Sequence, residues 1–187
     1  FVMAKDGYTE TKWWDYSAEA QAWRQDRPQP EPTAFKGNDL PRTKVSWYNT
    51  VAFCLWLSSR TGQKIMLPTE QQWQRAAQGD EGREYPWGNQ DPDEMLCNFG
   101  GNVGHTTLVT QYPNGTSPFG IMDMSGNVWE WCLTKWGTDS IEIEGSDFRV
   151  LRGGSFFSTT NNLRAANRSG VNPLENSGLG FRCACSY

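Results

Sequence analysis

The stretch "FGIMDMSGNVWEWCL", residues 119–133, reads as a turn feeding a strand. After Ser125, Gly126 and Asn127, residues Val128, Glu130 and Cys132 recur at the period of two that an extended chain imposes. Downstream, "FRVLRGGSF" (148–156) reads as a second short strand and "LGFRCACSY" (179–187) as a terminal one, with loops between them. Upstream, "VSWYNTVAFCLWLSSRTG" (45–62) is the clearest helix: Ser46 is its N-cap, Val51, Cys54, Leu55 and Leu57 its apolar stripe, Gly62 its stop. "LPTEQQWQRAAQG" (67–79) offers Thr69 and Gln72 as a capping box, Trp73, Ala76 and Ala77 as a buried face and Gly79 as terminator. A shorter helix starts near Ser17, and "PQPEPTAF" (28–35) then runs extended as a connector within one unit. Between Asp80 and Pro118 the pattern is irregular, with turn signals at Trp87-Gly88, Asp91-Pro92 and Asn114-Gly115.

Composition limits what such a chain can do. Its 187 residues suit one domain. Ten Trp, 19 Gly and a mean hydropathy of −0.68 favour an aromatic-rich, loop-rich α+β or β fold over a helical bundle. No apolar run approaches the ~20 residues of a membrane span, so membrane insertion is not expected. No leader is visible in "FVMAKDG", which points to the cytoplasm, and the missing initiator Met suggests that the numbering begins inside a longer polypeptide. A net charge of −4 argues against nucleic-acid binding.

Five cysteines without C-x-x-C spacing form neither a zinc site nor a dense disulfide framework; one internal bridge and a reducing compartment are both compatible. A single histidine, His105, excludes multi-His metal centres. It sits in "GNVGHTT" without a nucleophile elbow, and the same loop lacks the Lys of a phosphate cradle. The acidic "GDEGRE" is a solvated loop. Arg149, Arg152, Arg164, Arg168 and Arg182 cluster near the end of the chain, where donors tying loops together outweigh an anion site. No catalytic group emerges from the residues.

The pieces "VSWYNTVAFCLWLSSRTG", "LPTEQQWQRAAQG", "YPWGN", "CNFGG", "FGIMDMSGNVWEW", "RVLRGGSF", "LRAANR" and "GFRCA" occur in one order over residues 45–184. Together they resemble the formylglycine-generating-enzyme, or sulfatase-modifying-factor, family. The resemblance implies an α+β, C-type-lectin-like fold of short twisted strands, two main helices and long loops. It also implies one domain over 1–187, with the family's first strands lying upstream of Phe1 or absent. The family's enzymes oxidise a peptidyl cysteine with two copper-binding cysteines, whose places fall at Ser158 and Leu163. Neither side chain is a thiolate able to bind soft Cu(I). Iron-dependent relatives need His ligands that this chain does not supply. The expectation is therefore a protein that is not an enzyme and requires no cofactor. The resemblance further implies proximity of Cys54 and Cys183, which form a disulfide in secreted relatives. It implies a calcium site from Asn98, Gly126, Val128 and Glu130, hard cations taking ~6–8 oxygens.

Residues 149–184 also resemble the variable region of diversity-generating retroelement proteins, in which template adenines are copied with errors and AAY codons become NNY. NNY codons never encode Lys, Gln, Glu, Met or Trp. Between Phe156 and Leu179 there is no Lys, Gln, Met or Trp, and Glu175 is the one departure. The expectation is a structural frame of Arg152, Asn161, Arg164, Asn167, Arg168, Pro173 and Arg182. The exchangeable positions are Phe157, Ser158, Thr159, Asn162, Leu163, Ala165, Ser169, Gly170, Val171, Asn172, Leu174, Glu175, Ser177 and Gly178, which should face solvent on one contiguous surface. Phe157, Leu163, Val171 and Leu174 are the candidate apolar anchors, a protein the expected ligand and a monomer the expected state. Two other readings stay open on sequence alone: an oxidase of the formylglycine class working through other residues, and an interaction module with a fixed partner.

Overall fold

In the computed structural model, which describes residues 1–186, the strand opening after Val128 is β2 (Trp129–Lys135). It pairs antiparallel with β3 (Arg149–Arg152) on one side and parallel with β5 (Leu179–Phe181) on the other. A further strand, β4 (Arg168–Val171), pairs antiparallel with β3, giving the order β4-β3-β2-β5. Lys64–Met66 (β1) and Ala184–Ser186 (β6) form a separate antiparallel pair.

Two features differ from the sequence reading. The terminal segment is two strands in two sheets, because Arg182, just after β5, turns its guanidinium to Glu130. The stretch at 168–171, expected as loop, is the edge strand β4. It is held in register because Arg152 of β3 donates to the carbonyls of Ala165, Ala166 and Asn167 just ahead of it.

The helices end where their caps dictate. α1 (Ala18–Gln25) starts at Ser17, whose hydroxyl accepts from the Ala20 amide. α2 (Trp47–Thr61) opens on Ser46 and closes on Gly62 at φ 71°, a left-handed turn open to glycine. α3 (Glu70–Gln78) has the Thr69–Gln72 capping box. Trp14, Trp47, Trp73 and Trp131 are each almost wholly buried. A large apolar side chain so buried contributes about 1.5–3 kcal/mol. The indole N–H groups are also used: Trp47 donates to Cys132 O and Trp131 to Val45 O, lacing α2 to β2.

β3 carries the two buried arginines. Arg149 donates to Leu133 O, Glu142 O and Glu144 O and lies 3.7 Å from the Trp47 ring centre. Arg152 adds Gln74 Oε1 at 2.8 Å and the Glu70 carboxylate at 3.4 Å to its three carbonyls. Cys54 on α2 and Cys183 after β5 bring their sulfurs to 3.9 Å, as the resemblance implied. The contact with Cys183, and then burial, push the Cys54 thiol up.

Candidate functional site

The turn following β3 positions the residues on which function rests. Gly153 and Gly154 have φ of 94° and 77°. A side chain at Gly154 would meet Asn162 O and Leu163, so the turn folds directly under the 160–163 helical turn. Gly126 N donates to Gly153 O and Phe156 N to Asn127 O, tying this turn to the one that starts β2. Gly100 N and Gly101 N donate to Ser158 O and Phe156 O, so the "CNFGG" loop forms the third wall.

Ser158 lies inside this junction, 8 % exposed, with its hydroxyl accepting from Ser155 N at 2.9 Å. Leu163 is fully buried beside Tyr85 and Cys97. At 158 the side chain is thus a hydroxyl engaged in its own turn, and at 163 an isobutyl group in an apolar cluster. The Cys97 thiol is pushed up to about 12 by burial, with Asp123 and Asp93 adding to the effect, so it holds its proton near neutrality.

The fourteen exchangeable positions divide. Phe157 (70 % exposed), Thr159, Asn172, Leu174, Glu175, Ser177 and Gly178 are exposed, and Asn162, Ser169, Gly170 and Val171 are half-buried. Ser158, Leu163 and Ala165 are corrections to the surface expected from sequence: all three are buried. The physical reason is the chain reversal at 158–165, which turns 158, 163 and 165 inward and leaves 159–161 and 164 outside. Ala165 N also donates to Glu84 O, sealing that side chain inside. At Gly170 a Cβ would come within 2.2 Å of the Trp136 ring, so any side chain there must displace the indole.

The exposed and half-buried positions sit at four stations. Phe157 lies over Gly101; Thr159 and Asn162 belong to the 160–163 helical turn and its cap; Ser169–Val171 belong to edge strand β4; and 172–178 is held by Trp47 N donating to Pro173 O and by Asn176 donating to Glu31.

The frame divides as well. Arg152 is a buried pin, and Arg182 holds both oxygens of the Glu130 carboxylate. Arg164 is instead an exposed partner of Glu84 at 2.9 Å, with about half its side chain in water. Arg168 is partly exposed, lying over Trp136 and reaching Glu70. Asn161 is exposed. These three therefore do not pin a buried interior as expected.

The four calcium candidates do not fit the ion here. Glu130 accepts from Arg182 Nε at 2.6 Å, Arg182 Nη2 at 2.8 Å and Trp73 Nε1 at 2.7 Å, which neutralises the set's one charge and engages both of its oxygens. Val128 is buried, and Gly126 packs its backbone against Asn98 O. Asn98 donates from Nδ2 to His105 O, leaving its buried Oδ1 without a partner. Among the described residues no group of three or more His, Cys, Asp and Glu is placed to hold a metal. Nearby, Asp123 is half-buried and its carboxyl is raised to about 7 by desolvation, against which the Asn127 amide donates at 2.7 Å.

Short twisted strands in two small sheets, three capped helices and long loops pinned by Trp and Arg define a C-type-lectin-like α+β domain. The chain belongs to the sulfatase-modifying-factor family, whose "Sulfatase-modifying factor enzyme 1-like domain" matches residues 1–187. It is 37 % identical over 157 residues to serine/threonine-protein kinase pkn1 of Chlamydia pneumoniae, covering 77 % of this chain and 24 % of that protein. It is 34 % identical over 164 residues to inactive C-alpha-formylglycine-generating enzyme 2 of Mus musculus, covering 79 % and 50 %. The chain thus spans a quarter to a half of these relatives' length. In fold it is similar to Treponema denticola variable protein 1, with TM-score 0.72 and 24 % identity over 87 % of this chain and 80 % of that one. Among the described residues no helix is long and apolar enough to cross a membrane.

Proposed function

We propose that this domain is a non-catalytic ligand-binding module whose exposed residues between Phe156 and Leu179 form an exchangeable, diversified surface. The observation that carries the reading is the division of labour along this segment. Phe157, Thr159, Asn172, Leu174, Glu175 and Ser177 reach solvent, while Arg152, Phe156 and Leu163 are buried and hold the backbone. Exposed side chains on such a frame can be exchanged without repacking a core. The absence of Lys, Gln, Met and Trp from this segment, and the fold shared with a variable protein, support the same reading. Ser158 and Leu163 at the thiol positions support the absence of cysteine oxidation. Phe157 and Leu174 serve as the apolar anchors for a protein ligand; Leu163, buried, does not.

Sequencing the 3′ end of the gene across sibling isolates tests this directly. Changes should cluster at the exposed positions and spare Arg152, Phe156 and Leu163; a segment invariant across isolates sinks the proposal. Incubating the protein with copper, oxygen and a cysteine-containing peptide should yield no aldehyde above a metal-only control.

A further inference from the structure

Gly170 is an exchangeable position on the edge strand β4, and its backbone does not require glycine. Its φ lies outside the left-handed region in which Gly178, the other exchangeable glycine, sits at 70°. What excludes a side chain at 170 is one neighbour. The three heavy atoms nearest to an added Cβ all belong to the Trp136 indole: Cδ2 at 2.2 Å, Cγ at 2.4 Å and Cε2 at 2.7 Å.

Small adjustments do not relieve this contact. Cγ is bonded directly to the Trp136 Cβ, so it leaves β4 only when the side chain turns about its Cα–Cβ bond into another staggered well. The backbone on the tryptophan side is held, with Lys135 N donating to Ser140 O at 2.8 Å and Trp136 N to Phe148 O at 2.7 Å. β4 is held as well, paired with β3 from Arg168 opposite Arg152 to Val171 opposite Arg149. The ring has room to turn, since Trp136 is 40 % exposed.

A third residue depends on where the ring sits. Arg168, two residues before Gly170 and therefore on the same face of β4, holds its guanidinium 4.5 Å from the Trp136 ring centre and reaches Glu70 at 2.5 Å. When the indole turns away, Arg168 keeps Glu70 and loses the ring.

We propose that residue 170 is a specificity switch acting through Trp136, a residue outside the exchangeable segment. Glycine seats the indole on β4 beside Arg168; any side chain turns it outward into the binding surface. Exchange at this one position then alters three neighbouring groups: residue 170 itself, a fixed aromatic ring and an arginine. Tryptophan and arginine are among the side chains that dominate binding contacts, so a small substitution at 170 has a large effect on what is bound. The inference rests on the proposed function for its use in binding, and on the contact between Gly170 and Trp136 for its mechanism.

The test is a double-variant cycle on the whole domain, read by melting temperature and by the Trp136 indole N–H resonance, which Trp136→Ala identifies by its loss. Within a strand, alanine in place of glycine is by itself stabilising. Gly170→Ala should therefore lower the melting temperature of the wild type, yet leave that of Trp136→Ala unchanged or raise it. In the presence of Trp136 it should also move the indole resonance and increase its broadening by a soluble paramagnetic probe, and Gly170→Ser should do the same. Additive melting shifts, or an indole resonance that stays in place while the β4 amides move, would show that the strand yields instead and would overturn the proposal. If Gly170→Ala does not fold, the variant carrying both substitutions decides: a folded protein supports the switch and an unfolded one removes it. Sibling isolates that vary across 157–178 but always keep glycine at 170 would overturn the switch and leave the proposed function standing. A segment invariant throughout would sink the proposed function even where the cycle reports coupling.

Discussion

Arg152 and Arg164 lie twelve residues apart in one Arg-punctuated segment, yet they do opposite things. Arg152 points from β3 into the protein, where three carbonyls, Gln74 and Glu70 take its donors. Arg164 points out to Glu84 with half its side chain in water. The difference comes from the strand: β3 is covered on both faces, whereas 164 follows a helical turn at the surface. Residue type alone therefore says nothing about whether an arginine is frame or rim. Leu163 and Phe157 repeat the contrast among apolar residues, one fully buried and the other 70 % exposed.

The comparison breaks most visibly at Arg152. Arg152→Met should remove the donors of three buried carbonyls and leave Glu70 with Arg168 alone, costing about 3–5 kcal/mol in urea unfolding. A near-native midpoint would show that Arg152 is not the pin. Leu163→Ala should cost about 2–5 kcal/mol through the cavity it opens beside Tyr85 and Cys97. Phe157→Ser should leave the midpoint almost unmoved, and comparable losses for the two would erase the distinction between core and filling.

Asp123 sharpens the picture through pH. Its folded carboxyl titrates near 7 and its unfolded one near 3.8, so between these values the folded protein holds a proton that the unfolded chain has released. The stability contributed by this group is therefore fully present below pH 3.8 and declines as pH rises towards 7. Asp123→Asn, which keeps an acceptor for Asn127, should flatten that decline relative to wild type; parallel pH curves would place the Asp123 carboxyl in water. The smallest effect belongs to the rim. Exchanging Thr159, Ser177 and Arg164→Ala together should shift melting far less than Arg152→Met, while changing what the surface binds.

Much of the scaffold was legible because its signals are local. Ser17, Ser46 and Thr69 cap helices through hydroxyls that reach amides three residues on, and Gly62 and Gly79 end α2 and α3 through backbone angles that L side chains rarely adopt. The β2 strand was equally visible from its period of two. Strand β4 was not, because "RSGV" has no alternation of its own and becomes extended only beside β3.

The chain's order of motifs determined family and fold, and the residue types at 158 and 163 determined that no thiol pair stands there. Only the tertiary structure decided which residues around them face water. A reversal as tight as 153–165 inverts burial from one residue to the next, and contacts such as Ser125 Oγ to Leu163 O or Ala165 N to Glu84 O come from segments 38 and 81 residues away. The same holds for Glu130. By resemblance it was a calcium candidate, but Arg182, 52 residues further on, occupies both its oxygens. Charge pairing of this kind depends on distance in space, which a linear pattern does not carry.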